Sequence, residues 1–146
     1  MGTIWNNKHL WIPIITWLIV QTLKLIIDLV KNKKLNVKRL WGAGGMPSSH
    51  SAIMTSLDTT IALTEGLESP LFALALIMTF VVMYDATGVR RAAGKQARVL
   101  NQIIESDGKN INIQEKLIEL LGHTPIEVFV GAFVGILLAI ILNLLW

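Results

Sequence analysis

The 146-residue chain has no cysteine. That absence removes disulfides, thiolate nucleophiles and cysteine metal sites together. Charge is scarce as well: Asp, Glu, Lys and Arg make up 16% of the residues, against roughly a quarter in ordinary soluble domains. So few solvating groups, beside 53% hydrophobic residues, exclude a conventional water-soluble globule. The formal net charge of +3 is modest, but it is unevenly spread. Lys31, Lys33, Lys34, Lys38 and Arg39 fall in one segment, and Arg90, Arg91, Lys95 and Arg98 in another. Both abut long apolar stretches, which points to a membrane surface and away from nucleic acid.

The apolar stretches define an all-α integral membrane bundle of about four transmembrane helices, with short amphipathic surface helices. It is read as one domain over 1–146, with spans near 10–30, 48–64, 70–88 and 125–146. A run of about 20 residues gives about 30 Å of helix, enough to cross a bilayer core. The first run continues into Lys24 and Asp28 without a small-residue cleavage site, so it reads as a span and not as a cleavable leader. Lys24 and Asp28 share one helix face; they are either a snorkelling pair or part of a site. The second span carries Thr55, Ser56, Asp58, Thr59 and Thr60, and is plausible only as an inner helix with partners on its neighbours. Ser69-Pro70 reads as an N-cap followed by proline at the first helical position. From Ala92 to Leu121 the spacing predicts a surface helix, a polar break at Ser106 to Asn110, and a second helix through Leu117, Leu120 and Leu121. Gly131 and Gly135 form a G-x-x-x-G, whose simplest meaning is close helix packing.

Four crossings place the first loop, the Arg90-to-Gly122 connection and the start of the last helix on one face. The excess of Lys and Arg assigns that face to the cytoplasm of a multi-pass cell-membrane protein, with both termini outside. Ser48, Ser49, His50, Asp85, Arg90, Arg91, His123 and Glu127 all meet there, whereas His9 belongs to the opposite face. Helix N-termini begin at Ser48/Ser49 and at Thr124, and unpaired N–H groups at such ends attract phosphate. Arginine binds phosphate oxygens bidentately. A histidine can act as nucleophile toward phosphorus or as proton donor, and Glu127, four residues beyond His123, could orient its ring. Thr124-Pro125-Ile126-Glu127 is also a capping box, in which Glu127 turns back to the backbone. Both readings stand at this point. Asp85 and Asp58 are candidate charge partners for Arg90, Arg91 or Lys24.

These residues carry a resemblance. Pro47-Ser48-Ser49-His50 resembles the P-S-G-H motif of type-2 phosphatidic acid phosphatases and vanadium haloperoxidases. Gly122-His123-Thr124-Pro125-Ile126-Glu127-Val128, leading into Gly131 and Gly135, is similar to their last motif. Gly44-Gly45-Met46-Pro47, Tyr84-Asp85-Ala86 and Gly88-Val89-Arg90-Arg91 bring the chain closest to the divergent bacterial and plant branch of that family. The resemblance implies metal-independent, cofactor-free phosphate-ester hydrolysis. In it His123 is the nucleophile, Glu127 its orienting acid, and His50 the general acid. Ser48, Ser49, Arg39, Arg90, Arg91 and Lys24 are the candidate phosphate-binding residues. The chain departs from the pattern in having Glu127 for aspartate, Ser49 for glycine, and Leu117 where an arginine usually precedes the histidine by six residues.

The leading functional reading is a membrane phosphatase acting on a lipid or prenyl phosphate monoester or diphosphate through a phosphohistidine. Membrane lipids are the expected surroundings, and polar inner helices in so small a bundle leave room for a homodimer. The alternatives are a non-catalytic anionic-lipid binder or transporter that keeps the phosphate pocket, and a packing subunit of a larger complex.

Overall fold

The structure is a computed structural model and describes residues 3–33, 45–106, 117–119 and 121–146. After a short turn of 3-10 helix at Ile4–Asn6, five α-helices follow: α1 (Lys8–Asn32), α2 (Ser49–Glu65), α3 (Pro70–Thr87), α4 (Val89–Ser106) and α5 (Pro125–Leu145). Among the described residues there is no strand.

Local sequence sets the helix ends. The Asn7 side chain accepts from Leu10 N–H at the start of α1, and Ser48 accepts from Ser51 N–H at the start of α2. Ser69 caps α3, with Pro70 in the first turn where its missing N–H costs nothing. Gly66, at φ +85°, ends α2 in a conformation that a side chain rarely adopts. Gly88 separates α3 from α4 by a single residue.

Three stretches are long and apolar enough to cross a membrane: Lys8–Val30, Pro70–Ser106 with its apolar part in α3, and Pro125–Leu145. The polar α2 sits among them, packed against α1, α3 and α5. Its hydroxyls explain how so polar a helix occupies an apolar bundle. Thr55, Thr59, Thr60 and Thr64 each donate to the carbonyl one turn back on α2 itself. Two polar contacts also tie α2 to α5: Thr55 Oγ1 to Ala132 O at 3.0 Å, and Asn143 Nδ2 donating to Thr60 Oγ1 at 3.1 Å. At the far end, His9 Nε2 lies 2.6 Å from Thr64 Oγ1 and so ties α1 to α2.

The two glycines of α5 seat that helix on the backbone of α2. A Cβ at Gly131 would collide with Ser48 O, and one at Gly135 with Ala52 O and Thr55 Oγ1. Helices approach this closely only where one of them lacks side chains, and in lipid such packing replaces the hydrophobic force. The outward faces of α3 and α5 expose Leu74, Ile77, Phe80, Val81, Phe129 and Phe133, as lipid-facing helices should.

Part of one expectation fails: Leu117 to Glu119 and Leu121, expected in a second surface helix, are non-helical, while Leu120 and most of the polar break at Ser106 to Asn110 lie outside the described residues. The Asn101 side chain captures that segment: Leu117 N–H donates to Asn101 Oδ1 at 3.0 Å, and Asn101 Nδ2 donates to Leu117 O at 2.9 Å. An amide that matches a backbone donor and acceptor in this way competes with helix formation. The leucine spacing that suggested a helix is over-ridden by a strap laid along α4. Gly94 permits the close approach, because a Cβ there would meet Glu119 O at 2.6 Å and Leu121 O at 2.7 Å.

Candidate functional site: a cationic cleft at the start of α5

Three elements meet around His123. Its N–H donates to Ala86 O at the end of α3, at 2.9 Å. The preceding Gly122 has φ +80°, and a Cβ there would strike the backbone of Arg90 and Arg91. The next residue, Thr124, caps α5 in a full capping box. His123 is therefore fixed from both sides by backbone, and its side chain is only 2% exposed.

Capping and ring orientation converge on one atom. Glu127 Oε2 accepts from Thr124 N–H at 2.9 Å and lies 3.4 Å from His123 Nδ1. The capping geometry places the carboxylate beside the imidazole instead of turning it away. Neither His123 nitrogen has a hydrogen-bond partner, although both are buried, and a buried unpaired polar atom is costly. Burial holds the His123 pKa below the ordinary histidine value, and the charge of Lys24 lowers it further, with Glu127 opposing. The lowered pKa favours the neutral ring at neutral pH, with Nδ1 toward the carboxylate and Nε2 buried without a hydrogen-bond partner.

A cleft of about 350 Å³ opens over this histidine. Its walls are Gly45, the α4 residues Arg91, Gly94, Lys95 and Arg98, the strap residues Glu119, Leu121 and Gly122, and Thr124 and Glu127 of the α5 cap. Arg98 Nε lies 3.4 Å from Glu119 Oε2, and Glu119 Oε1 accepts from Asn101 Nδ2 at 2.8 Å. Among the described residues, no ion pair engages Arg91 or Lys95. The cleft thus gathers the His123 imidazole, three cations and two carboxylates, one of which pairs with Arg98.

The other sequence candidates fall into distinct places. His50 packs edge-on against His123 at a centroid separation of 6.0 Å, but it is not among the cleft walls. Ser48 and Ser49 are buried. Ser48 caps α2, accepts from Ser51 Oγ at 3.1 Å, and donates its N–H to Glu127 O at 3.0 Å. Ser49 Oγ accepts from the buried Lys24 Nζ at 3.1 Å. Lys24 of α1 and Ser48, Ser49 and His50 at the start of α2 are thus not among the cleft walls. Arg91 lines the cleft, whereas Arg90 pairs with Asp85 outside it. Asp58 is buried within α2 toward Thr79, and its Oδ1 has no hydrogen bond; the arginine expected for it is taken by Asp85. Arg39 lies outside the described residues. Among the described residues no three His, Asp or Glu side chains gather as metal ligands would.

Sequence reasoning missed Lys95, Arg98, Asn101 and Glu119. The signal was present in part: Arg91, Lys95 and Arg98 follow i, i+4, i+7 and share one helix face, and a glycine at 94 inside a helix marks a close backbone approach. The strap that carries Leu117, where the arginine is missing, lies along α4, the helix that bears Arg91, Lys95 and Arg98.

Fold and site together define a helical membrane protein with a cleft of mixed charge at one end of its bundle. The chain belongs to the Divergent PAP2 family, whose model matches residues 5–138. It is 45% identical over 134 residues to the uncharacterized membrane protein YuiD of Bacillus subtilis (strain 168), covering 84% of this chain and 85% of that protein. No solved structure matches it.

Proposed function

We propose that this protein is a membrane phosphohydrolase that cleaves a lipid or prenyl phosphate through a phosphohistidine on His123. The observation that carries the reading is the cleft itself: a buried imidazole with Nδ1 beside Glu127 and Nε2 without a hydrogen-bond partner, on a wall shared with Arg91 and Lys95. Neutral imidazole supplies the lone pair that attacks phosphorus. Glu127, beside Nδ1, stabilises the positive charge that the ring acquires as the N–P bond forms. Arg91 and Lys95 neutralise the phosphoryl oxygens, the main task in phosphoryl transfer. The cations of α4 also support a cytoplasmic address for this face.

The purified protein in detergent should release phosphate from a lipid phosphate in the presence of a chelator, and His123→Ala should abolish the release. A wild type inert across a broad panel of lipid mono- and diphosphates would sink the reading. One observation favours the alternative of a non-catalytic anionic-lipid binder: His50, the expected proton donor, stands outside the cleft walls. That alternative predicts saturable lipid-phosphate binding without turnover, weakened by Arg91→Ala and indifferent to His123→Ala.

A further inference from the structure

We propose that α4 docks along an anionic bilayer surface, with the side of the helix that faces away from the cleft set among the lipids. This docking is independent of the chemistry at His123.

The helix is two-sided. At about 100° of rotation per residue, Gly94, Arg98 and Asn101 share one side of α4, and that side meets the strap and the cleft. On the opposite side Val89, Ala92, Val99, Leu100 and Ile103 fall within about 100° of one another, in a stripe interrupted only by Gln96. All six residues are exposed, and Val89, Val99, Leu100 and Ile103 are between 49% and 66% exposed. A contiguous apolar stripe of this kind marks a surface that something apolar covers.

Three features name lipid as the occupant. Gly88 alone separates α4 from α3, the apolar part of a stretch long enough to cross a membrane, so α4 starts at the membrane boundary. Tyr84, near the end of α3, is 77% exposed, and exposed tyrosines at span ends sit at headgroup level. Charge adds the third. Between Asp85 and Glu105 the chain carries Arg90, Arg91, Lys95 and Arg98 and no acidic residue. Arg90, which also pairs with Asp85, and Lys95 border the stripe on its two flanks. From there their stems lie along the acyl boundary while their charges reach the headgroups. The same charges disfavour a second copy, since two α4 helices set stripe to stripe would bring cation against cation.

With lipid on one side and the cleft on the other, α4 is the partition between bilayer and site. The partition sets the level of the cleft. Its cationic wall lies at headgroup depth, within reach of a charged headgroup whose tail stays in the bilayer.

The chain has no cysteine, so single cysteines on α4 can be labelled without interference from a native thiol. Leu100→Cys and Ile103→Cys carry a bimane label on the stripe, and Gln102→Cys carries it on the polar side. All three positions are exposed, so the substitutions leave the packing intact. Each variant is placed in nanodiscs of phosphatidylcholine, with or without phosphatidylglycerol. Its fluorescence is then quenched by a lipid with a nitroxide on the acyl chain, or by aqueous iodide. With phosphatidylglycerol present, the lipid nitroxide should quench the labels at Leu100 and Ile103 several-fold more than the label at Gln102, and iodide should reverse the order. Removing phosphatidylglycerol should weaken the lipid quenching at both stripe positions. Iodide quenching of all three labels alike would overturn the proposal, as would lipid quenching indifferent to phosphatidylglycerol. Shielding of Leu100 and Ile103 from both quenchers, with a disulfide forming between unlabelled Leu100→Cys copies, would assign the stripe to a second copy and overturn it too.

Discussion

Replacing Gly131 by alanine tests how the bundle sets the depth of the site. A Cβ at this position would collide with Ser48 O, and would also lie 2.9 Å from Ser48 N and 3.0 Å from Ser48 Cβ. The obstacle is the backbone of a capped helix start, which cannot swing aside as a long side chain would. Overpacking of this kind costs about 1–3 kcal/mol, and a backbone obstacle belongs to the upper half of that range. Alanine recovers about 1 kcal/mol of helix propensity relative to glycine, leaving a net loss of about 1–2 kcal/mol. For a chain of this size that corresponds to a fall in Tm of roughly 3–8 °C, readable by thermal unfolding in detergent. The same shift strains the bond from Ser48 N–H to Glu127 O, so Glu127 and His123 move with α5. Phe133→Ala provides the contrast, since Phe133 is 67% exposed on the lipid face and should leave Tm nearly unchanged. A Gly131→Ala variant as stable as the wild type, or more so, would refute the seating of α5 on α2.

Further outcomes are expected elsewhere in the molecule. Because burial and Lys24 lower the His123 pKa, its neutral form persists below the ordinary histidine value. The stability linked to this group is fully present above that value and is lost as pH falls toward the folded pKa. Lys24→Met removes a lowering charge and should move the acid limb of activity to higher pH, while Glu127→Gln should move it lower; shifts in the opposite directions would contradict the assignment. Asn101→Ala deletes three hydrogen bonds to the strap, a loss of about 2–4 kcal/mol at roughly 1 kcal/mol each, and limited proteolysis should then cut near Leu117–Glu119. Arg91→Gln should lower phosphate-release rates by about 10- to 100-fold. Arg90→Gln should cost much less, because Arg90 pairs with Asp85 at an exposed position and does not line the cleft.

Much of this architecture can be read from the residues. The Ser69-Pro70 and Thr124-Pro125-Ile126-Glu127 signals act through a few neighbouring atoms, and local chemistry of that kind survives folding. The polar α2 declared itself an inner helix because Thr55, Asp58 and Thr60 have no acceptable place in lipid. The walls of the cleft were harder to read. Lys95 and Arg98 look like the solvated face of a surface helix until the strap is laid beside them, and the strap depends on Asn101 meeting a backbone sixteen residues away. The leucine spacing around Leu117 imitates a helix because periodicity carries no information about that tertiary hydrogen bond. The two roles of Glu127 looked exclusive in sequence, since only coordinates show that one carboxylate oxygen can face both Thr124 N–H and His123 Nδ1.

Covalent chemistry at His123 can be caught by a phosphoenzyme trap. The purified protein is mixed with a terminally labelled prenyl diphosphate in the presence of a chelator, quenched in alkali within a fraction of a turnover, and mapped by peptide mass spectrometry. An acid-labile, alkali-stable label is expected on His123 and should be absent in His123→Ala. Turnover without any label on His123, or a label that persists in His123→Ala, would contradict it.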